Sequence, residues 1–273
     1  MQASENLHNS GLAHKGMQLN GQGFVIERAL ASRWKDKYGA LAAQVIKPYL
    51  IGRDLVQVSR DRFVVDLYPL GEEEVRKRMP EVYQLILEKV KPERIFNRDP
   101  FRREKWWWFG RTHDGQRDAV AGLTQVIATP RQSKHRFFVL CEPETILEST
   151  IVLISLADFF SLGVLSSRVH TAFSIRVGGW LGVGNDPRYL HNWCFDRFPY
   201  PVCGDKLALK IRAVAEELDA HRKARQAEHP KLTLTQMYNV LEKLRAKGVR
   251  PSGLRDSHIL PLSHKGGSCD DIA

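Results

Sequence analysis

The chain has 273 residues, and its 41 Lys and Arg outnumber its 31 Asp and Glu, which gives a formal net charge of +10. A balance this basic favours an anionic partner, whether nucleic acid, an acidic membrane surface or an acidic protein. No stretch approaches the roughly 18 uninterrupted apolar residues of a membrane helix, so no span is predicted. The four cysteines stand far apart and the ten histidines show no ligand spacing. This pattern predicts no disulfide framework and no metal site, and it fits a reducing, cytoplasmic location.

The first part of the chain is predicted to mix short strands with helices. Residues 1–23 are polar and rich in Gly and Asn, which predicts an N-terminal loop segment. Apolar side chains recur at helical spacing over residues 72–90, and Pro80 is expected to open the second of two abutting helices. Two further helices are predicted, one from Asp99 into the tryptophans and one over residues 114–123. The strand candidates are residues 24–27, 45–50 and 62–68.

The second part begins with three strand candidates, then an apolar helix over residues 158–173 and a glycine-rich turn region. After residue 201 the composition changes to two amphipathic helices, the first with Leu207, Ile211, Val214 and Leu218 on its apolar face. The fold class is therefore α+β, a mixed sheet with flanking helices over residues 24–203. A helical hairpin over residues 204–247 and a disordered tail over residues 248–273 are expected to follow. The strand candidates are residues 125–129, 136–141, 151–156 and 193–198.

Three consecutive tryptophans, Trp106 to Trp108, lie inside the basic stretch of residues 91–117. Cations can neutralise phosphates while indole rings stack on bases, which favours a nucleic-acid surface. The alternative is that the tryptophans are core anchors, because large aromatic side chains are mostly buried. The cations of this stretch predicted to contact the DNA backbone are Arg102, Arg103 and Lys105.

A second group of cations, Lys134, His135 and Arg136, precedes two phenylalanines at the start of a predicted strand. Phosphate contact is the predicted role of all three side chains, and a solvated strand end is the alternative. Arg53 and Asp54 are predicted to form an internal ion pair at a turn.

Residues 186–189, with the sequence Asp-Pro-Arg-Tyr, approach the [Asp/Asn/Ser]-Pro-Pro-[Tyr/Phe] loop of amino-group methyltransferases. Arg188 replaces the second proline, and we find no glycine-rich turn between strand and helix that could hold S-adenosylmethionine. The segment is therefore predicted to contain no catalytic residue. Asn185, Asp186 and Arg188 instead carry side chains that suit base edges, so they are predicted to recognise DNA bases. The alternative is an Asp-Pro turn that merely ends a strand.

Seven motifs together resemble the C-terminal target-recognition part of MmeI-like class I DNA methyltransferases, which are single-chain restriction–modification enzymes that make N6-methyladenine. The resemblance covers about residues 15–247, and no single motif carries it alone. In chain order the motifs are residues 15–21 (KGMQLNG), 47–54 (KPYLIGRD), 103–107 (REKWW), 133–136 (SKHR), 165–170 (LSSRVH), 181–189 (LGVGNDPRY) and 198–201 (FPYP).

The resemblance implies a DNA target-recognition module whose partner is double-stranded DNA. In the family a catalytic domain, with cofactor-binding glycines and an Asn-Pro-Pro-Tyr loop, precedes the position of Lys15. These motifs are missing here, so residues 1–23 are expected to be the junction to a missing catalytic domain. We expect no cofactor in this chain, although the full-length family uses S-adenosylmethionine, and no activity of the chain alone. Two alternatives stay open: a subunit of a split methyltransferase completed in trans by a separate catalytic polypeptide, and an interaction remnant without DNA affinity.

Overall fold

The computed structural model describes residues 9–181 and 186–246, where the chain forms ten strands and twelve helices. The predicted tail of residues 248–273 and the predicted base contact Asn185 lie outside the described residues. The strands are β1 (Ala13–Lys15), β2 (Val25–Glu27), β3 (Ile46–Leu50), β4 (Arg62–Val65), β5 (Val126–Pro130), β6 (Val139–Cys141), β7 (Ile146–Leu147), β8 (Ile151–Ile154), β9 (Trp180–Leu181) and β10 (Asp186–Pro187).

The helices vary from single turns to 24 residues, and none in the described part of the chain is long and apolar enough to cross a membrane. They are α1 (Arg28–Val45), α2 (Gly52–Val56), α3 (Glu72–Arg78), α4 (Pro80–Lys89), α5 (Lys91–Arg94), α6 (Pro100–Glu104), α7 (Asp114–Val120), α8 (Phe159–Ser166), α9 (Arg168–Val177), α10 (His191–Cys194), α11 (Asp205–Glu228) and α12 (Leu234–Ala246).

The first four-stranded sheet has the order β1-β8-β5-β6, and all of its pairs are antiparallel. Every residue of β5 and β8 is buried, as expected for central strands that are covered on both faces. The prediction of a loop over residues 1–23 is wrong at β1, where Ala13 pairs with Ile154. A strand of three residues shows too few alternations to stand out from a polar segment.

The second four-stranded sheet has the order β2-β4-β3-β7, and its β3–β7 pair is parallel. The predicted mixed sheet is therefore confirmed. Only a short turn separates β7 from β8, so consecutive strands of the chain belong to the two different sheets. Residues 148–150 in this turn lie next to the site described below.

Local signals set several helix boundaries correctly. Pro80 occupies the first turn of α4, directly after α3, as predicted. The apolar helix predicted over residues 158–173 is two helices, because Ser167 has an extended backbone and caps α9 by accepting a hydrogen bond from the amide of His170. The strand predicted over residues 193–198 is wrong, since α10 extends to Cys194 and residues 195–198 form turns and a bend.

Two C-terminal helices complete the fold, as predicted, and α11 packs against α8. A Cβ on Gly163 of α8 would lie 2.7 Å from Ile211 of α11, so glycine permits this close approach. The predicted apolar face of α11 is wrong in part, since Leu207 and Val214 are 53% and 66% exposed. The buried positions of α11 include the polar residues Asp219 and Arg222 instead.

Candidate nucleic-acid interface

The segment from Asp186 to Tyr189 is extended and anchored on two sides. β10 pairs with β9 through Asp186 and Leu181, and Arg188 forms an isolated antiparallel bridge with Gln132. Successive side chains of an extended segment point to opposite sides. Pro187 and Tyr189 are accordingly buried, whereas Asp186 and Arg188 are half-buried and line a common cleft. The structure thus brings two of the three predicted base contacts onto one face.

Tyr189 supports the segment from behind. Its ring is fully buried and contacts those of Phe138 and His170 edge-on, with centroids 5.5 and 5.8 Å away. Burial lowers the pKa of His170 to about 4, which favours a neutral ring inside the core. A tyrosine buried in this way cannot stack on a flipped base.

Arg136 lies directly beneath the same segment, and its predicted role as a phosphate contact is wrong because the side chain is 6% exposed. Its Nη1 donates to Oγ1 of Thr129 at 2.9 Å and to the carbonyl of Pro130, and its Nη2 donates to the carbonyl of Pro187 at 3.2 Å. The guanidinium carbon also lies 5.0 Å from the centroid of the Tyr189 ring. Arg136 therefore fixes the backbone between Asp186 and Arg188.

The cleft in front of the segment, here called the recognition cleft, has a volume of about 470 Å³. It lies between α2, the residues that follow β5, and the Asp186–Arg188 segment. Three arginines and one aspartate are its charged lining residues, so the local charge is positive. Its polar and charged lining residues are Arg53, Arg131, Gln132, Thr150, Asp186 and Arg188.

Arg53 is exposed in this cleft because its neighbour pairs elsewhere. The predicted ion pair between Arg53 and Asp54 is wrong: the Asp54 carboxylate accepts hydrogen bonds from Nε and Nη2 of Arg60 at 2.8 and 2.9 Å. Nε of Arg53 instead donates to Oε1 of Gln57 at 2.6 Å. The Arg53 charge is therefore not neutralised by a carboxylate in the described chain.

A second cleft of about 410 Å³ adjoins the first and shares Gln132 and Asp186 with it. Lys134 lines this cleft, and its Nζ donates to Asn239 and Glu242 of α12, both at 2.9 Å. His135 lies behind it, with Nε2 2.8 Å from Oδ1 of Asn239. Lys134 thus lies near the face that carries Asp186 and Arg188, and α12 holds it there.

The tryptophans of the basic stretch are part of the core. Trp106 and Trp107 are 4% and 6% exposed, and the indole N–H groups of Trp107 and Trp108 donate to the carbonyl of Leu70. The core interpretation is confirmed, and stacking of bases on these rings is excluded for the two buried indoles. Large rings that fill an interior do not remain available to a ligand.

The cations beside the tryptophans occupy the surface. Nε of Arg102 lies 3.4 Å from Asp99, and Nη1 of Arg103 donates to the carbonyl of Asn97 at 3.1 Å. The ammonium of Lys105 is 5.1 Å from the ring centroid of Trp108. None of these three cations lines either cleft, so the structure does not bring them together with Asp186 and Arg188.

Among residues 9–181 and 186–246, no group of three His, Cys, Asp or Glu side chains could hold a metal ion. Two arginines of the recognition cleft, Arg53 and Arg131, were not predicted as site residues from the sequence. Arg131 stands three residues before Lys134, and a proline-arginine pair at the end of a strand was its only local signal. Arg53 was assigned to an ion pair.

Comparison with known proteins gives one relative and one solved structure of interest. A segment of 137 residues is 29% identical to DNA methyltransferase A of Bacillus subtilis (strain 168), covering 49% of this chain and 14% of that protein. The fold is similar to that of the Type IIL restriction-modification enzyme MmeI, solved in complex with DNA, with a TM-score of 0.67 at 15% identity. That match covers 93% of this chain and 35% of the MmeI chain. The chain therefore spans much less than two thirds of either protein.

A family model described as "MmeI, target recognition domain" matches residues 2–202. This range includes both sheets, the recognition cleft and the segment with Asp186 and Arg188. Since the match covers well over half of the 273 residues, the chain belongs to the family of MmeI target recognition domains.

Proposed function

We propose that this chain recognises the target sequence in duplex DNA for a site-specific adenine-N6 methyltransferase of a restriction–modification system. The observation that carries the proposal is the pair Asp186 and Arg188, which lie on one face of an extended segment inside a positively charged cleft. The opposite face of this segment is buried. Arginine is suited to the two acceptors of guanine, and aspartate accepts from the cytosine amino group. The solved MmeI relative, which was determined with DNA, supports the same partner.

The roles of the remaining predicted residues follow from their positions. Asn185 is proposed as a third base contact. Arg136 is now assigned to positioning, because its donors are used by the protein interior. Residues 24–203 together with β1 are proposed to act as the recognition domain, and the hairpin of residues 204–247 to support it. The proposed DNA-backbone contacts are Arg102, Arg103, Lys105, Lys134 and His135.

DNA binding by the purified chain is expected to weaken steeply as salt rises. Each phosphate that a cation neutralises releases counterions, so the slope of log K against log [salt] is about −0.9 per contact. With several contacts, affinity should fall by about two orders of magnitude or more between low and physiological salt. Fluorescence anisotropy on a short labelled duplex measures this slope directly. A flat salt dependence would rule out phosphate contact as the source of binding.

We propose further that the methyl donor binds outside this chain. In the described residues each four-stranded sheet is wholly or mainly antiparallel, with β3–β7 as the parallel pair, whereas doubly wound nucleotide-binding sheets are mostly parallel. Isothermal titration of the chain with S-adenosylmethionine is therefore expected to give no binding heat at micromolar concentrations. Saturable binding at such concentrations would overturn this part of the proposal.

A split methyltransferase, completed in trans by a separate catalytic polypeptide, is the second candidate. The exposed apolar side chains Leu209 and Val214 on α11 and Val240 on α12, which are 64%, 66% and 56% exposed, favour a protein neighbour at the hairpin. In this case S-adenosylmethionine should bind only after a polypeptide with an Asn-Pro-Pro-Tyr loop is added. The first candidate requires no such complex for DNA recognition.

A further inference from the structure

Arg131 is held in the recognition cleft by hydrogen bonds of both its backbone and its side chain. Its amide donates to the carbonyl of Thr150 at 2.8 Å, and its own carbonyl accepts from the amide of Tyr189 at 2.7 Å. Its Nη1 donates to the carbonyl of Ser149 at 3.1 Å. Arg131 thus connects the turn between β7 and β8 to the base-contact segment, and both its backbone and its side chain are held.

The guanidinium groups of Arg131 and Arg188 share the same cleft. Burial is the larger cause that lowers the pKa of Arg131, and the positive charge of Arg188 lowers it further, while the carboxylate of Glu148 acts in the opposite direction. Within residues 9–181 and 186–246 no carboxylate forms an ion pair with either arginine. Two like charges at a partly desolvated site repel each other, and a bound anion would remove this cost.

The side chain of Arg131 suits a phosphate better than a base edge. A guanidinium has five N–H donors, so the single bond to Ser149 leaves most of them for an oxyanion, which arginine can bind with two parallel bonds. A side chain tied to a neighbouring carbonyl has little freedom to follow different base edges. Phosphate positions, by contrast, change little with sequence.

We propose that Arg131 binds a DNA-backbone phosphate beside the base pair that Arg188 contacts, and so fixes the register of the duplex against Asp186 and Arg188. This inference rests on the proposed DNA recognition function. The isolated bridge between Gln132 and Arg188 keeps the two arginines on neighbouring extended segments. A phosphate held by Arg131 is consequently held at a constant offset from the base-contact side chains. Contacts of this kind position a protein on DNA without carrying sequence information themselves.

The test compares R131Q with R76Q on a short duplex of fixed sequence and on a duplex selected by the wild-type chain. Arg76 is a matched control, because it is an exposed arginine on α3 that lines neither cleft. R131Q should lower the magnitude of the salt slope by about 0.9. It should also weaken binding to both duplexes equally, by about 10-fold at low salt, while R76Q changes neither quantity. An unchanged slope in R131Q overturns the assignment.

Failure of the DNA recognition function and failure of the Arg131–phosphate contact give different results. If the wild-type chain binds no duplex at low salt, the proposed function itself fails. If the wild type binds and R131Q keeps its slope, only the role of Arg131 fails. Should R131Q not fold, duplexes with a single neutral methylphosphonate test the same contact with the wild-type chain. One such position next to the base pair affected by R188Q should lower the slope by about 0.9, and no position doing so would overturn the proposal.

Discussion

Replacing Arg136 with methionine is expected to lower the free energy of unfolding by about 3 kcal/mol. Three hydrogen bonds from a charged donor contribute on the order of 2 kcal/mol each, or about 6 kcal/mol in total. Burial works against them and lowers the pKa of Arg136 to about 10, so the expected net loss is only about half of that total. Methionine occupies much of the arginine stem but leaves the carbonyls of Pro130 and Pro187 without this donor.

Chemical denaturation followed by tryptophan fluorescence measures this loss, with R76M as the control. Arg76 has a side chain that is 63% exposed, so R76M should change stability by less than about 0.5 kcal/mol. If R136M and R76M have the same midpoint, Arg136 is not the internal support of the Asp186–Arg188 segment. Its assignment as a positioning residue would then be withdrawn.

Replacing Arg188 with glutamine is expected to change which base is preferred at one position of the target. The expected loss at that position is about 1–3 kcal/mol, because a bidentate contact with guanine is removed, and glutamine is better suited to adenine. The fold should be retained, since the amide of Arg188 still donates to the carbonyl of Gly179 at 3.0 Å and the side chain lines the cleft. Binding constants for duplexes that differ at single base pairs measure the effect.

The companion variant for this prediction is D186N, which changes the other residue of the pair. It should alter preference at a position near that affected by R188Q, because both side chains line the same cleft. The remaining positions of the target should keep their preferences in both variants. If R188Q instead weakens binding to every sequence by the same factor, Arg188 is a phosphate contact or a folding residue.

The sequence predicted those elements whose signal is local. The spacing of apolar residues over 72–90, with Pro80 at the break, placed α3 and α4, and the β-branched run around Ile151 placed β8. The sequence-based prediction failed where tertiary packing determines which face of a helix is buried. The face of α11 that is buried includes Asp219, which pairs with Lys223 of the same helix, and Arg222, which donates to the buried carbonyl of Phe138. Apolar periodicity therefore predicted part of the wrong face.

The candidate site divides in the same way. Asp186 and Arg188 form a local pattern, so the sequence could propose them together. Arg53 and Arg131 reach the same cleft from elements far apart in the chain, and only the pairing of the sheets brings them there. Arg136 was wrongly predicted to contact phosphate, because the sequence alone does not show whether an arginine donates its hydrogen bonds to water, to phosphate or to buried carbonyls.

Selection from a pool of duplexes with a randomised centre shows directly whether the chain recognises a DNA sequence. The purified chain without any added protein is incubated with the pool, and the bound duplexes are recovered and sequenced over several rounds. The wild type should enrich one short motif, and this motif should change at a single position in R188Q. A recovered pool that stays random, or a chain that retains no DNA at low salt, would contradict it.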